Sequence, residues 1–464
     1  MDVFIKIAQF VLALSILIFV HEMGHYLFAR LFKIRVDKFY LFFNPSRSIL
    51  RAKRINGKWQ FLWFSPAPPK EWTTDYADKT EWGIGWLPLG GYCKISGMID
   101  ESMDKEQIKQ PPKEWEFRTK PAWQRMFVMI GGVLFNVLLA MCIYWGMLFS
   151  WGEQYLANRD VAYGVQCNAL AQEMGFRNGD KILFIDGNEV EDFRNIQFEI
   201  VRNQAQEVTV IRNNDTLTIP IEEHFIKALI NENELIFKAR TPFIVKNIPD
   251  ISHNAQAGLQ PKDYIVGVDT LQTSMSQEEI RTALQNYKNQ QVNLCVQRND
   301  SMFLLPVNVN EEGVLGIDIF LPEEIFSLVQ KEYDLLTAFP AGVSKGLSII
   351  KNYVKELRLI FSPKTEAYKS VGSFITMIQA FPAEWDWYHF WYLSALLSIM
   401  LAVINILPIP GLDGGHLLFV LYEMVSGRKP NEKFYEFMLW IGFVFLIMLM
   451  VFALGNDVIR NFFK

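Results

Sequence analysis

Residues 19–28 read FVHEMGHYLF: two histidines and a glutamate inside an apolar run from Phe4 to Phe28 that is long enough to cross a membrane. Ionisable groups are costly in lipid, so such a cluster is a functional candidate by default. His21 and His25 stand four residues apart and share one helix face, where both imidazoles can converge on one zinc ion with Glu22 beside them as a general base. With 6 histidines in 464 residues, a chance HExxH is expected in about one such chain in two hundred. The bland alternative is a satisfied polar patch in a helix interface. A catalytic zinc typically takes three protein ligands and keeps a position open for water, so a third ligand is still to be found.

The rest of the composition sets the context. The chain is 50% hydrophobic and 14% aromatic yet 20% charged, which predicts a few membrane spans carrying sizeable aqueous domains. The net charge of −5, without a basic tract, speaks against a nucleic-acid partner. Cys93, Cys142, Cys167 and Cys295 lack CxxC spacing, so neither a thiolate metal site nor a disulfide framework is expected, although Cys167 and Cys295 could in principle pair outside the cell. Four segments have spanning length: 4–28, 123–149, 390–407 and 437–454. The first lacks a small-residue cleavage site and reads as a retained span.

Basic residues orient these spans. Arg30, Lys33, Arg35, Lys38 and Arg47 follow the first; Lys105, Lys109, Lys113, Arg118 and Lys120 precede the second; Arg428, Lys429 and Lys433 lie between the third and fourth. The other side has only Lys6, Arg159, Arg460 and Lys464. The bias turns both termini and the long 152–384 region outward and sets His21, Glu22 and His25 in the inner half of the first span.

That orientation narrows the third ligand. His224, His253 and His389 fall outside. At the inner end of the third span, residues 405–415 read NILPIPGLDGG. Pro408 and Pro410 break the helix there, and Gly411, Gly414 and Gly415 allow a sharp turn. Asp413, held in that broken end, would complete a His₂Asp site; His416, just past the turn, is the rival.

The outer region carries an internal repeat. GFRNGDKILFIDG (175–187) matches GLQPKDYIVGVDT (258–270) at a constant offset, and TVIRNND (209–215) is echoed by NLCVQRND (293–300). Helical stretches are expected at Phe193–Arg202 and Gln277–Tyr287. The pattern resembles a tandem PDZ pair, a module that takes an extended peptide as an added strand; two inert spacers or a steric sieve are the alternatives. Residues 341–361 have apolar positions at helical spacing, predicting an amphipathic helix on the membrane surface or on the spans.

HExxH in the first span, NxxPxPxLDG in the third and two PDZ-like units between the second and third together resemble the site-2 protease family of intramembrane zinc metalloproteases, in its bacterial sigma-E regulator branch. The resemblance covers nearly the whole chain. It implies a multi-domain membrane protein: a four-helix transmembrane metalloprotease core with a membrane-associated β-hairpin, and two α/β PDZ domains on the periplasmic side of the inner membrane. The division expected is 1–32 for the first span, 33–121 for a cytoplasmic-side region with the hairpin at about 84–98, 122–151 for the second span, 155–222 and 238–310 for the PDZ domains, 323–384 for an amphipathic connector, and 388–415 and 434–456 for the last two spans.

The resemblance also assigns roles. His21, His25 and Asp413 would hold one Zn²⁺ per chain, Glu22 would be the catalytic base, and Asn405 would hold substrate. WLPLGGYCKISGM (86–98) resembles the family's hairpin loop, making Gly90, Gly91 and Tyr92 candidates for pairing with an unwound substrate. Gly132 and Asn136 in GGVLFN resemble its GPxxN motif. Three features depart from the pattern: Val133 in place of proline, Ser373 after Gly372 where Gly-Pro is common, and an aromatic and proline-rich insertion at 44–82. The implied partners are the bilayer and single-span membrane proteins such as anti-sigma factors or remnant signal peptides, with the PDZ pair as a size filter. A catalytically inactive, peptide-binding adaptor and a metal transporter are the competing readings.

Overall fold

Among the described residues, four helices in the computed structural model are long and apolar enough to cross a membrane: Asp2–Leu31, Ala122–Trp151, Trp387–Ile406 and Lys433–Ile459. The structure describes residues 2–69, 72, 80–88, 90–98, 111–232, 234–269, 275–299, 301–429 and 431–462. Leu89, Lys105, Lys109, Thr270, Asp300 and Lys464, invoked above, lie outside these, as do 70–71 and 73–79 of the insertion. The chain divides into two compact units, one of Met1–Gly152, Glu332–Arg358 and Lys369–Lys464, the other of Glu153–Lys331 and Leu359–Tyr368.

In the first unit, the spans are held by close backbone approach and small residues. A Cβ on Gly24 would fall 2.2 Å from the Gly131 carbonyl oxygen, so the first and second helices touch backbone to backbone within the HExxH turn. The second and third helices share a core of Ala140, Tyr144 and Met147 with Ala395, Ile399 and Val403. The amphipathic stretch is a helix, Leu335–Ile360, that lays Ile349, Ile350, Tyr353 and Leu357 on that same core.

Two departures from the resembled motifs have a place in the fold. The second helix runs unbroken through Val133. Ser373 caps the short helix Phe374–Ala380 and also gives its backbone N–H (2.9 Å) and its hydroxyl to Asp457 of the fourth span, a double donation that proline cannot make.

A five-stranded sheet belongs to the same unit. Its strands are β1 (Val36–Leu41), β2 (Phe43–Ile55), β3 (Lys58–Ser65), β4 (Glu81–Leu87) and β5 (Tyr92–Ile95), in the order β3-β2-β4-β1-β5. The expected hairpin at about 84–98 is therefore corrected: β4 and β5 do not pair with each other but flank β1, one parallel and one antiparallel. The parallel β1–β4 pair requires a long crossover, and the insertion supplies it as the hairpin β2–β3. Its two-residue turn is Asn56-Gly57, both at positive φ (45° and 82°), the arrangement favoured between twisted antiparallel strands.

The second unit holds two α/β modules. One sheet orders Asp215–Pro220, Glu207–Arg212, Lys181–Ile185 and Asn188–Glu189, with helix Ile196–Asn203. The other orders Ser301–Asn308, Gln291–Arg298, Tyr264–Val268, Phe243–Asn247 and Asp318–Ile319, with helix Gln277–Leu284. The sequence repeat has an atomic counterpart. Arg212 bonds both oxygens of buried Asp180 (2.7 Å each) and the Gly175 carbonyl (2.8 Å); Arg298 does the same with Asp263 (2.6 and 2.7 Å) and Gly258 (2.9 Å).

The expected boundaries at 222 and 310 fall short. Ile226, Leu229, Ile236 and Phe237 join the first core, and strand Phe237–Ala239 pairs with Val165–Cys167. Leu315 joins the second core. A three-residue strand and a two-turn helix carry too little periodicity to be read in advance. Cys167 and Cys295 are free thiols buried in the first and second modules respectively.

Candidate metal centre

The centre is assembled from both ends of the chain. His21 and His25 lie one turn apart on the first span, both buried, and their rings rest on the second span where it has no side chain. A Cβ on Gly132 would fall 2.5 Å from His25 Nε2 and 2.7 Å from His21 Nε2. The third helix ends at Ile406, and Asp413 opens a separate helix, Asp413–Ser426, closed by Gly427 at φ 68°. That second helix was not anticipated. Gly414 makes the reversal possible, since a Cβ there would meet the Ile406 and Leu407 carbonyl oxygens at 2.4 and 2.2 Å.

Three potential ligand atoms converge. Asp413 Oδ2 lies 3.1 Å from His21 Nε2 and 3.4 Å from His25 Nε2, and the two Nε2 atoms are 3.3 Å apart. Each imidazole has a partner on its other nitrogen: His25 Nδ1 is 2.8 Å from the Val128 carbonyl oxygen, and His21 Nδ1 is 3.2 Å from the Asn136 side-chain amide. A backbone carbonyl can only accept, so the His25 proton sits on Nδ1 and its Nε2 is left as a lone pair. The Asn136 atom facing His21 Nδ1 is the amide nitrogen Nδ2, and its amide oxygen is buried without a partner; turning the amide end for end gives that oxygen to an Nδ1 proton and leaves His21 Nε2 as a lone pair.

With both imidazoles neutral and protonated on Nδ1, the state a metal requires, two nitrogen lone pairs and the buried carboxylate oxygen Asp413 Oδ2 face one another at 3.1 and 3.4 Å. Such a convergence is repulsive unless a cation sits between the atoms. The set, two imidazoles and one carboxylate with all ligand atoms within 4.8 Å, fits zinc and leaves a fourth position for water.

The remaining candidates are arranged around this point. Glu22 follows His21 in the helix, half-buried, and its carboxylate accepts from the Cys93 backbone N–H of β5. Asn405 Nδ2 is 3.4 Å from His21 Nε2. Gly91 is wedged where a Cβ would fall 2.6 Å from Ile18 Cγ2 and 2.7 Å from the Tyr40 carbonyl oxygen; one on Gly90 would meet the Phe43 ring at 2.6 Å. The Tyr92 hydroxyl is turned to Asn44 (2.9 Å) and its ring stacks on Tyr40, so the side chain itself is not directed at the histidines. The rival His416 pairs through Nδ1 with the Tyr435 hydroxyl and is not in the cluster. Sequence reasoning did not single out the Val128 carbonyl, which has no side-chain signature, or the Gly24–Gly131 contact; the glycine inside HEMGH was the available signal.

The profile of peptidase family M50 matches residues 9–67 and 63–449 and so includes every residue of the cluster. This chain belongs to peptidase family M50. The regulator of sigma-E protease RseP of Escherichia coli K12 is 28% identical over 477 residues, covering 98% of each chain. RseP of Salmonella typhimurium 14028s is 27% identical, again over 98% of each. A Rickettsia conorii protein provisionally named a zinc metalloprotease is 25% identical over 99% of this chain and all of its own. This M50 peptidase is a metalloprotease of the site-2 type, and its apolar helices and relatives make it a multi-pass protein of the bacterial inner membrane.

Proposed function

We propose that this peptidase hydrolyses a peptide bond within the transmembrane segment of single-span membrane proteins, at one zinc ion held by His21, His25 and Asp413. The observation that carries the reading is the convergence of three potential ligand atoms on one point among helices apolar enough to span a bilayer. Zinc bound there supplies Lewis acidity, acidifying water and polarising the scissile carbonyl. Glu22, adjoining the ligands, takes the proton of the attacking water and returns it to the leaving amine.

A substrate helix hides its carbonyls in its own hydrogen bonds and must unwind before attack. β5 is an edge strand, and pairing along it through Gly90, Gly91 and Tyr92 holds the unwound segment, with Asn405 anchoring a carbonyl. The Cys93 N–H bond to Glu22 supports this, since it brings the edge beside the base.

The outer modules act as a tandem PDZ pair that excludes proteins with bulky outer domains until another protease trims them. The Lys/Arg bias supports a periplasmic position for them and for both termini. An anti-sigma factor is the substrate type that the relatives' names suggest, with remnant signal peptides as a second.

The test is cleavage of a single-span substrate by purified wild type and Glu22→Gln, each assayed for zinc. Cleavage by wild type alone, with zinc in both, is expected. Cleavage by Glu22→Gln at the wild-type rate would remove Glu22 from the chemistry; folded wild type without zinc would favour a peptide-binding adaptor.

A further inference from the structure

The β2–β3 hairpin formed by the insertion has a role that neither the metal centre nor the substrate edge uses. One row of cross-strand partners runs across the whole sheet: Cys93 opposite Phe39, Phe39 opposite Trp82, Trp82 opposite Ala52, Ala52 opposite Phe61. Partners directly opposite project to the same face. The next row on that face is Leu41, Ile84, Leu50 and Trp63, and Arg54 faces Trp59 at the tip. The near end of this face rests on the first span, with Phe39 against Phe19 and Tyr26 (ring centroids 5.6 and 5.8 Å) and Trp82 against Tyr26 (5.1 Å). Among the described residues the far end is open: Trp59, Phe61 and Trp63 are 52%, 58% and 66% exposed.

The opposite face is of another kind. Arg51 is paired with Glu81 (2.8 Å) and reaches Tyr40 (3.1 Å), Lys53 donates to the Trp72 carbonyl (2.6 Å), and the Trp72 indole donates to Gln60 (2.7 Å). The two faces therefore differ: one closes on itself through the Arg51–Glu81 pair, the Tyr40–Tyr92 stack and Trp72, while the other carries an open aromatic row at its far end.

We propose that the Trp59–Phe61–Trp63 face of this hairpin is embedded in the membrane interface, making the insertion a lipid anchor for the sheet. The occupant is the bilayer because the exposed aromatics continue, strand by strand, the face that covers the first span, whose Phe19 and Leu27 are themselves about two-fifths exposed along an apolar helix (41% and 43%). Tryptophan is the residue of the lipid–water boundary. Arg54 and Lys58 at the tip suit anionic headgroup phosphates. An exposed aromatic stripe of this kind in an aqueous domain would be an aggregation hazard. The proposal depends on the membrane spans and not on the metal chemistry, so either can fail without the other.

The test is a nitroxide label at Phe61→Cys, Trp63→Cys and, from the opposite face, Gln60→Cys. The labels are placed in full-length protein whose four native cysteines are replaced by serine, reconstituted in phosphatidylcholine/phosphatidylglycerol vesicles. Labels at 61 and 63 should collide with oxygen several-fold more, relative to a water-soluble nickel chelate, than the label at 60. Equal nickel access at all three positions would overturn the proposal in favour of a solvated hairpin. Protection of 61 and 63 from both reagents would overturn it in favour of a covering protein, a second copy included. A photoreactive benzoylphenylalanine at position 61, with the native cysteines retained, gives the independent readout: lipid adducts are expected, and protein–protein adducts alone would refute the anchor.

Discussion

The Asn136 side-chain amide lies 3.2 Å from His21 Nδ1, across the contact between the first and second spans. That contact fixes which nitrogen of His21 is left for a metal. With the amide oxygen turned to the ring, Asn136→Asp keeps an acceptor there and should retain zinc; Asn136→Leu removes it and should weaken zinc binding about 10–100-fold. Competition with a chelator of known affinity measures both. Equal affinities in the two variants would mean that the amide does not orient the ring.

Gly132→Ala should be more damaging than its size suggests. The new methyl would lie 2.5 Å from His25 Nε2, and no shift of a flexible side-chain tip relieves it, because both neighbours are ring atoms of the proposed ligands. Zinc content well below one per chain in protein that still elutes as a monodisperse species is the expected result.

In the second unit, Arg212→Ala leaves the Asp180 carboxylate buried without its cation. Asp180 is fully buried, so the cost should be about 3–5 kcal/mol, the usual penalty for stranding one partner of a buried pair. Hydrogen exchange on the full-length protein should show protection lost across the first module and retained in the second, which has its own Arg298–Asp263 pair.

Glu279 gives the contact between the two modules a pH dependence. Burial alone would raise its carboxyl, but the Ser276 backbone N–H, the Arg240 guanidinium and the Asn178 amide outweigh burial and hold it below its ordinary value. Asn178 and Arg240 bond it at 2.7 and 2.9 Å. A depressed folded value means stabilisation that is fully present above the usual glutamate range and is lost as pH falls through the lowered value. Proteolysis between the modules should therefore accelerate on acidification into that range, and Glu279→Gln should remove most of the dependence.

How much of this was legible in the sequence depends on the scale of the pattern. The spans announce themselves because about twenty apolar residues have few other uses, and the HExxH pair because one helical turn is short enough to read directly. Asp413 was reachable because prolines and glycines mark a broken helix end. The sheet was misread because β1 inserts between β4 and β5, and a non-local pairing leaves no trace in either strand's own sequence. The aromatic alternation at 59, 61 and 63 was visible, but its meaning depends on which face rests on the first span, and only the register supplies that.

The donor set also has an order in time. His21 and His25 lie in the first apolar helix and Asp413 follows the third, so a ribosome must complete three of those helices before the three atoms can meet. On the proposed ligand set, a chain that stops before Asp413 carries HExxH without its third ligand, and neighbouring nascent membrane proteins are exposed only to an inert precursor. A chain ending just before Asp413 should accordingly insert its first spans and retain no zinc.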